Sequence, residues 1–216
     1  VNPSRGLGDV YKRQGFGLTG AVPTNDYSTE NFIQVVQELS QELELGKFLI
    51  AGNSMGGGVS WRFALDYPDQ LLGLILLASS GVRVEQSNQQ MEQKERETPV
   101  AWRLMRSDVM KSFLTKFTPK FFATQGLSSS VYDQELATSE LANQFHELTL
   151  MEGSRAAILS MFGSRTDRSG FSGPSIFRDI DVPTLVIHGK EDNIIDVGSS
   201  KYFQENIPNV EVKIYE

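Results

Sequence analysis

The chain of 216 residues contains no cysteine. That absence excludes disulfide bridges and thiolate catalysis, and leaves the cellular compartment open. Histidine is nearly absent as well: only His146 and His188 are available for any chemistry that needs an imidazole. No apolar run is long enough to cross a bilayer. Basic residues are outnumbered, 20 against 27 acidic ones, for a net charge of −7. Such a balance argues against nucleic acid or an anionic membrane as the main partner. No internal repeat or low-complexity tract is present. The length suits one domain with a substantial core.

What the chain does have is a serine between glycines, Gly52-Asn53-Ser54-Met55-Gly56. The preceding Lys47-Phe48-Leu49-Ile50-Ala51 is mostly apolar, and the following run of helix formers is stopped by Pro68. Strand, tight turn and helix in that order place Ser54 on the turn. A turn sharp enough to lift a hydroxyl above a strand end strains the serine backbone. Small neighbours, here read as Gly52 and Gly56, let strand and helix approach. The pattern is the G-x-S-x-G elbow of a nucleophilic serine, and the competing reading is a structural glycine turn.

Residues 15–20 spell G-x-G-x-x-G, the fingerprint of a dinucleotide site. No strand precedes the motif and Ala21-Val22-Pro23-Thr24 follows it as loop, so a nucleotide cofactor is not expected. The first fourteen residues have no apolar periodicity. They resemble translated sequencing-adapter read-through and are expected to lie outside the native fold, the alternative being a disordered terminus.

Ser28 is a plausible N-cap for a helix with Phe32, Val35, Val36, Leu39 and Leu43 on one apolar face, closed by Gly46. After the elbow helix, Leu72-Gly73-Leu74-Ile75-Leu76-Leu77-Ala78 reads as a central parallel strand covered on both faces. From Gly81 to about Phe177 the pattern turns helical. Trp102, Met105, Val109, Phe113 and Phe117 make a stripe expected of a lid helix, and helices are expected over residues 133–150 and 154–162. Strand character resumes at Pro183-Thr184-Leu185-Val186-Ile187-His188-Gly189, followed by a helix over residues 197–206 and an alternating strand over 210–215. Strand, helix, strand succession predicts a parallel sheet with its site beyond the strands' carboxyl ends, where Ser54 lies.

GFGLTG, GNSMGG, the FALDYP helix ending and PTLVIHGKED together resemble the α/β-hydrolase fold superfamily over residues 15–216. The resemblance implies an α/β fold, a mostly parallel sheet with helices on both faces and an inserted helical cap. The expected division is core over residues 15–81, cap over 82–177 and core again over 178–216. In that family the acid follows a strand in the pattern G-x-x-D, which implies Asp192; Glu191 and Asp196 read as solvated loop carboxylates. Ser54 is then the nucleophile, Asp192 the acid that orients a histidine, and the Met55 backbone N–H one oxyanion donor.

Chain order in the family is serine, acid, histidine, yet both histidines precede Asp192. His146 reads as a partly buried cap residue, and His188 as a strand residue that is not the base. The resemblance therefore implies a histidine past Tyr215, a second oxyanion donor ahead of Gly15, and a chain cut at both ends, with an incomplete core and no competence on its own. The expected substrate is a small molecule with a carbonyl group, such as an ester. No cofactor and no metal are expected. The GNSMGG elbow resembles meta-cleavage product hydrolases, which break carbon–carbon bonds, and general esterases carry similar elbows. A non-catalytic ligand-binding protein on the same fold is the alternative from another class.

Overall fold

The computed structural model describes residues 22, 26–82, 117–163 and 174–216. Helix α1 (Thr29–Glu42) leads to strand β1 (Phe48–Asn53), helix α2 (Met55–Asp66) and strand β2 (Leu71–Leu77). Helices α3 (Lys120–Ser130), α4 (Ser139–Leu150) and α5 (Ser154–Gly163) follow, and then strand β3 (Thr184–Gly189), helix α6 (Gly198–Asn206) and strand β4 (Val210–Tyr215). Among the described residues the sheet has four strands in the order β1-β2-β3-β4, every neighbouring pair parallel.

Helix α1 starts where its sequence says it should. The Ser28 hydroxyl accepts from the Asn31 N–H at 3.2 Å, and Glu30 sits in the positive first turn. Its end and its inner face differ from the expectation. Glu44, not Gly46, takes the left-handed conformation (φ 49°), its N–H donating to the Gln41 carbonyl while the Leu45 N–H donates to that of Ser40. That pair of bonds closes the helix two residues earlier than the glycine would. Phe32, Ile33 and Ser40 are buried, whereas Leu43 is exposed. Ser40 enters the core side because its hydroxyl donates to the Gln37 carbonyl at 2.7 Å, which satisfies the polar group in place.

The core gathers around α2, which is apolar over most of its circumference and is accordingly buried at Val59, Trp61, Phe63 and Ala64. Phe177, in a short 3-10 turn (Pro174–Asp179), packs tilted against Trp61 with ring centroids 4.8 Å apart and edge-to-face against Phe203 of α6 at 5.5 Å. Leu74 and Leu76 of β2 and Val186 of β3 complete the packed layer. The two faces of β2 are covered unequally: Leu74 and Leu76 are buried, but Ile75 and Leu77 only partly. A register shift between Phe48 and Leu49 leaves Leu72 as an extra residue with its side chain exposed, and Leu49 lies across Gly73.

Helices α4 and α5 match the expected helical segments, with the first shortened to begin at Ser139. Helix α3 was not expected; it packs against α4, and the His146 ring binds the Thr118 carbonyl just before it at 2.8 Å. Leu127, Ala142 and Ala157 are buried without belonging to the core around α2. Of the aromatic stripe, Trp102, Met105, Val109 and Phe113 lie outside the described residues, as do the G-x-G-x-x-G stretch and residues 1–14; Phe117 is exposed. Among the described residues no helix is long and apolar enough to cross a membrane.

Candidate active site

Ser54 is the first residue past β1. Its N–H donates to the Leu77 carbonyl at 2.8 Å, and its own carbonyl accepts from the Gly58 N–H at 3.2 Å and from the Ser80 N–H at 3.0 Å. These bonds hold it at φ 51°, ψ −119°, a backbone region that costs a residue with a Cβ about 1–3 kcal/mol. A serine preceding a helix ordinarily turns its hydroxyl onto the helix N–H groups, but this one makes no such capping bond. The strained backbone thus presents the side chain rather than spending it on the helix.

The glycines explain how the turn closes, with one correction. A Cβ on Gly52 would collide with the Gly56 carbonyl and the Ser60 hydroxyl, so this position admits only glycine. Gly56 contributes that carbonyl, but the direction of its own missing Cβ is open among the described residues. The second close approach belongs to Gly57, where a Cβ would come within 2.6 Å of the Ser79 side chain. Met55 opens α2, in the turn whose N–H groups have no intrahelical acceptor.

Asp192 lies in the loop after β3. One carboxylate oxygen, Oδ1, accepts from the Ile194 and Ile195 N–H groups at 2.8 and 3.0 Å; the other, Oδ2, is 3.2 Å from His188 Nε2. The same Nε2 is 3.2 Å from the Ile195 carbonyl. Both neighbours are acceptors, so Nε2 carries the proton, and the Ser200 hydroxyl donates to Nδ1 at 2.7 Å. Ser200, His188 and Asp192 therefore form a serine–histidine–carboxylate chain built on the wrong serine. Ser200 and His188 are each 1% exposed, so no substrate reaches that hydroxyl.

In the sheet register, Ser54, Ala78 and His188 fall in one row just beyond Asn53, Leu77 and Ile187. Ser54 and His188 are thus two strand spacings apart, about 10 Å, and the histidine does not serve Ser54. His146 is engaged through Nε2 with Thr118. Glu191 is exposed, as expected of a loop carboxylate. Asp196 is not simply solvated: it accepts from the Gly198 N–H at 2.8 Å at the start of α6. The role of Ser200 was missed; the run Asp196-Val197-Gly198-Ser199-Ser200 signals a helix start, but not which buried ring its serine meets. Among the described residues no cluster of side chains is arranged to hold a metal. A cleft of about 340 Å³ lies between α1 and α2, with Arg62 and Glu30 on its wall, and includes neither Ser54 nor Asp192.

The family described as Hydrolase_4: Serine aminopeptidase, S33, matches residues 4–216. The chain is 25% identical over 206 residues to 2-hydroxy-6-oxo-2,4-heptadienoate hydrolase of Pseudomonas putida F1, covering 93% of this chain and 67% of that protein. It is 23% identical over 205 residues to 2-hydroxymuconate semialdehyde hydrolase of Pseudomonas sp. CF600, covering 93% and 65%. Human monoacylglycerol lipase ABHD6 is 25% identical over 208 residues, covering 89% of this chain and 55% of the lipase. Among solved structures, a mutant of the meta-cleavage product hydrolase CumD from Pseudomonas fluorescens IP01, complexed with acetates, superimposes with a TM-score of 0.74. Identity there is 22%, with 94% of this chain and 68% of that one covered. The chain thus spans about two thirds of the length of these hydroxydienoate and semialdehyde hydrolases.

Proposed function

The chain belongs to the serine aminopeptidase S33 family of α/β-hydrolases, and on that premise we propose that the whole protein is a serine hydrolase acting on an ester-like or similarly activated carbonyl substrate. The observation that carries this reading is Ser54: positive φ, no capping bond, and a position at the carboxyl edge of a parallel sheet. In this reading its Oγ attacks the carbonyl carbon and passes its proton to a histidine. The oxyanion that forms is met by the Met55 N–H. The histidine then protonates the leaving group, and water attacking the acyl-serine regenerates Ser54.

Asp192 is the acid of this reading, with two backbone N–H groups and one imidazole fixing its carboxylate. The base is a histidine outside residues 1–216, since His188 is buried in bonds to Asp192 and Ser200 and His146 is held by Thr118. A second reading, hydrolysis of a carbon–carbon bond beside a ketone, is favoured by the hydroxydienoate and semialdehyde hydrolases among the relatives. Turnover of p-nitrophenyl esters and of a vinylogous diketone by the full-length protein, beside its Ser54→Ala variant, tests both. Activity lost in a folded Ser54→Ala protein supports the serine mechanism. Retained activity in Ser54→Ala refutes the serine mechanism, and a wild type inert to every carbonyl substrate and to a fluorophosphonate favours a ligand-binding role instead.

A further inference from the structure

The buried chain from Ser200 through His188 to Asp192 has no access to substrate, yet it ends on the carboxylate proposed to work in catalysis. An apolar residue at position 188 would complete the core side of β3 beside Thr184 and Val186 at no polar cost. The strand instead buries an imidazole whose side chain has no solvent exposure. A buried polar ring is tolerated only when its hydrogen bonds are made, and all of these are. They tie three pieces together: the end of β3, the loop carrying Asp192 and Ile195, and the first turn of α6.

The division of bonds on Asp192 gives the ring a specific task. Oδ1 is held by two N–H groups of its own loop, bonds that travel with the loop, whereas the bond from His188 to Oδ2 anchors the carboxylate to the end of β3. Among the described residues, His188 Nε2 is the side-chain donor on Oδ2. We propose that His188, oriented by Ser200, is a positioning residue that anchors the Asp192 carboxylate and its loop to β3, so that the lone pair left on Oδ2 faces the catalytic histidine. The inference rests on the reading of Asp192 as the triad acid for its catalytic consequence; its structural half stands on the hydrogen bonds alone.

The test uses the full-length protein and three variants, His188→Leu, His188→Gln and Ser200→Ala. Steady-state rates on a p-nitrophenyl ester are expressed per serine titrated by a fluorophosphonate, so that a misfolded fraction does not count. His188→Leu should lose about tenfold in kcat or more with KM within about twofold, in the range typical of residues that orient a catalytic group through one bond. His188→Gln, whose amide can donate to Asp192 and accept from Ser200, should recover most of that loss. Ser200→Ala should fall between Gln and Leu, and it carries the test if His188→Leu does not fold.

An unchanged kcat in His188→Leu and Ser200→Ala would overturn the proposal, as would a glutamine variant no better than leucine or a loss confined to KM. A crystal structure of whichever of His188→Leu and Ser200→Ala folds adds a readout independent of turnover. The carboxylate of Asp192 and its loop should be displaced from the end of β3 or split between positions, and an unmoved carboxylate would refute the structural half. Failure of the enzyme reading itself would show differently, as an inert wild type or an active Ser54→Ala protein.

Discussion

The Cα of Gly52 faces the carbonyl oxygen of Gly56 with no room for a methyl group between them. The two glycines of the G-x-S-x-G pattern therefore do different work. Gly52→Ala must push backbone against backbone and should destabilise the protein by about 1–3 kcal/mol or more. Gly56→Ala meets nothing among the described residues and gains helix propensity, so its stability should be unchanged or higher by up to about 1 kcal/mol. Urea unfolding of the two variants separates them; equal losses would show that the elbow closes in another way.

Ser54 should cost the fold stability. Its φ of 51° is one that glycine adopts freely, so Ser54→Gly is expected to raise stability by roughly 1 kcal/mol while abolishing any serine-dependent turnover. Ser54→Ala keeps the Cβ and should leave stability nearly as it was. A glycine variant less stable than the alanine variant in thermal unfolding would contradict a strained elbow.

Glu44 provides the same test away from the site. It closes α1 in the left-handed region at φ 49°, where glycine is the usual residue, and its own side chain is exposed. Glu44→Gly should stabilise by about 1 kcal/mol and leave turnover untouched. Denaturation midpoints and ester hydrolysis measured on one preparation would check both halves.

Phe177 joins the chain that returns from the helical segment to the core on α2 and α6. It is fully buried between Trp61, Tyr202 and Phe203, so Phe177→Ala should cost about 3–5 kcal/mol. Phe177→Leu should recover more than half of that. A small effect of the alanine change on the unfolding free energy would place this turn outside the cooperative core.

The features that were legible in the sequence are those fixed by neighbours along the chain. Ser54 announced itself because the elbow needs glycine within two residues and a strand before it. The strands β2, β3 and β4 and helix α6 were readable from apolar runs and alternation. Helix α3 was not, since Lys120–Ser130 contains Gly126 and three successive serines, poor helix formers. Two of them turn their hydroxyls onto the Gln125 and Gly126 carbonyls. The closure of α1 was misread because a glutamate took a conformation for which a nearby glycine was the better candidate. Within the candidate site, the family resemblance pointed to Asp192, and the apolar run of β3 placed it in the loop that follows that strand. The contact of Ser200 with His188 was not legible, because a strand and a helix twelve residues apart meet there only through the packing of α6 on β3.

The three backbone bonds of Ser54 also bear on the order in which the protein is made. Residues 48–66 leave the ribosome ahead of β2, and they include the serine, the turn and the helix, yet the amide of Ser54 waits for Leu77 and its carbonyl for its second donor, Ser80. Until β2 has docked, two of the three bonds that hold the serine in its costly conformation are missing, and only the one from the Gly58 N–H is within reach. The presenting conformation of Ser54, on which the proposed nucleophile depends, is therefore complete only once the sheet has formed.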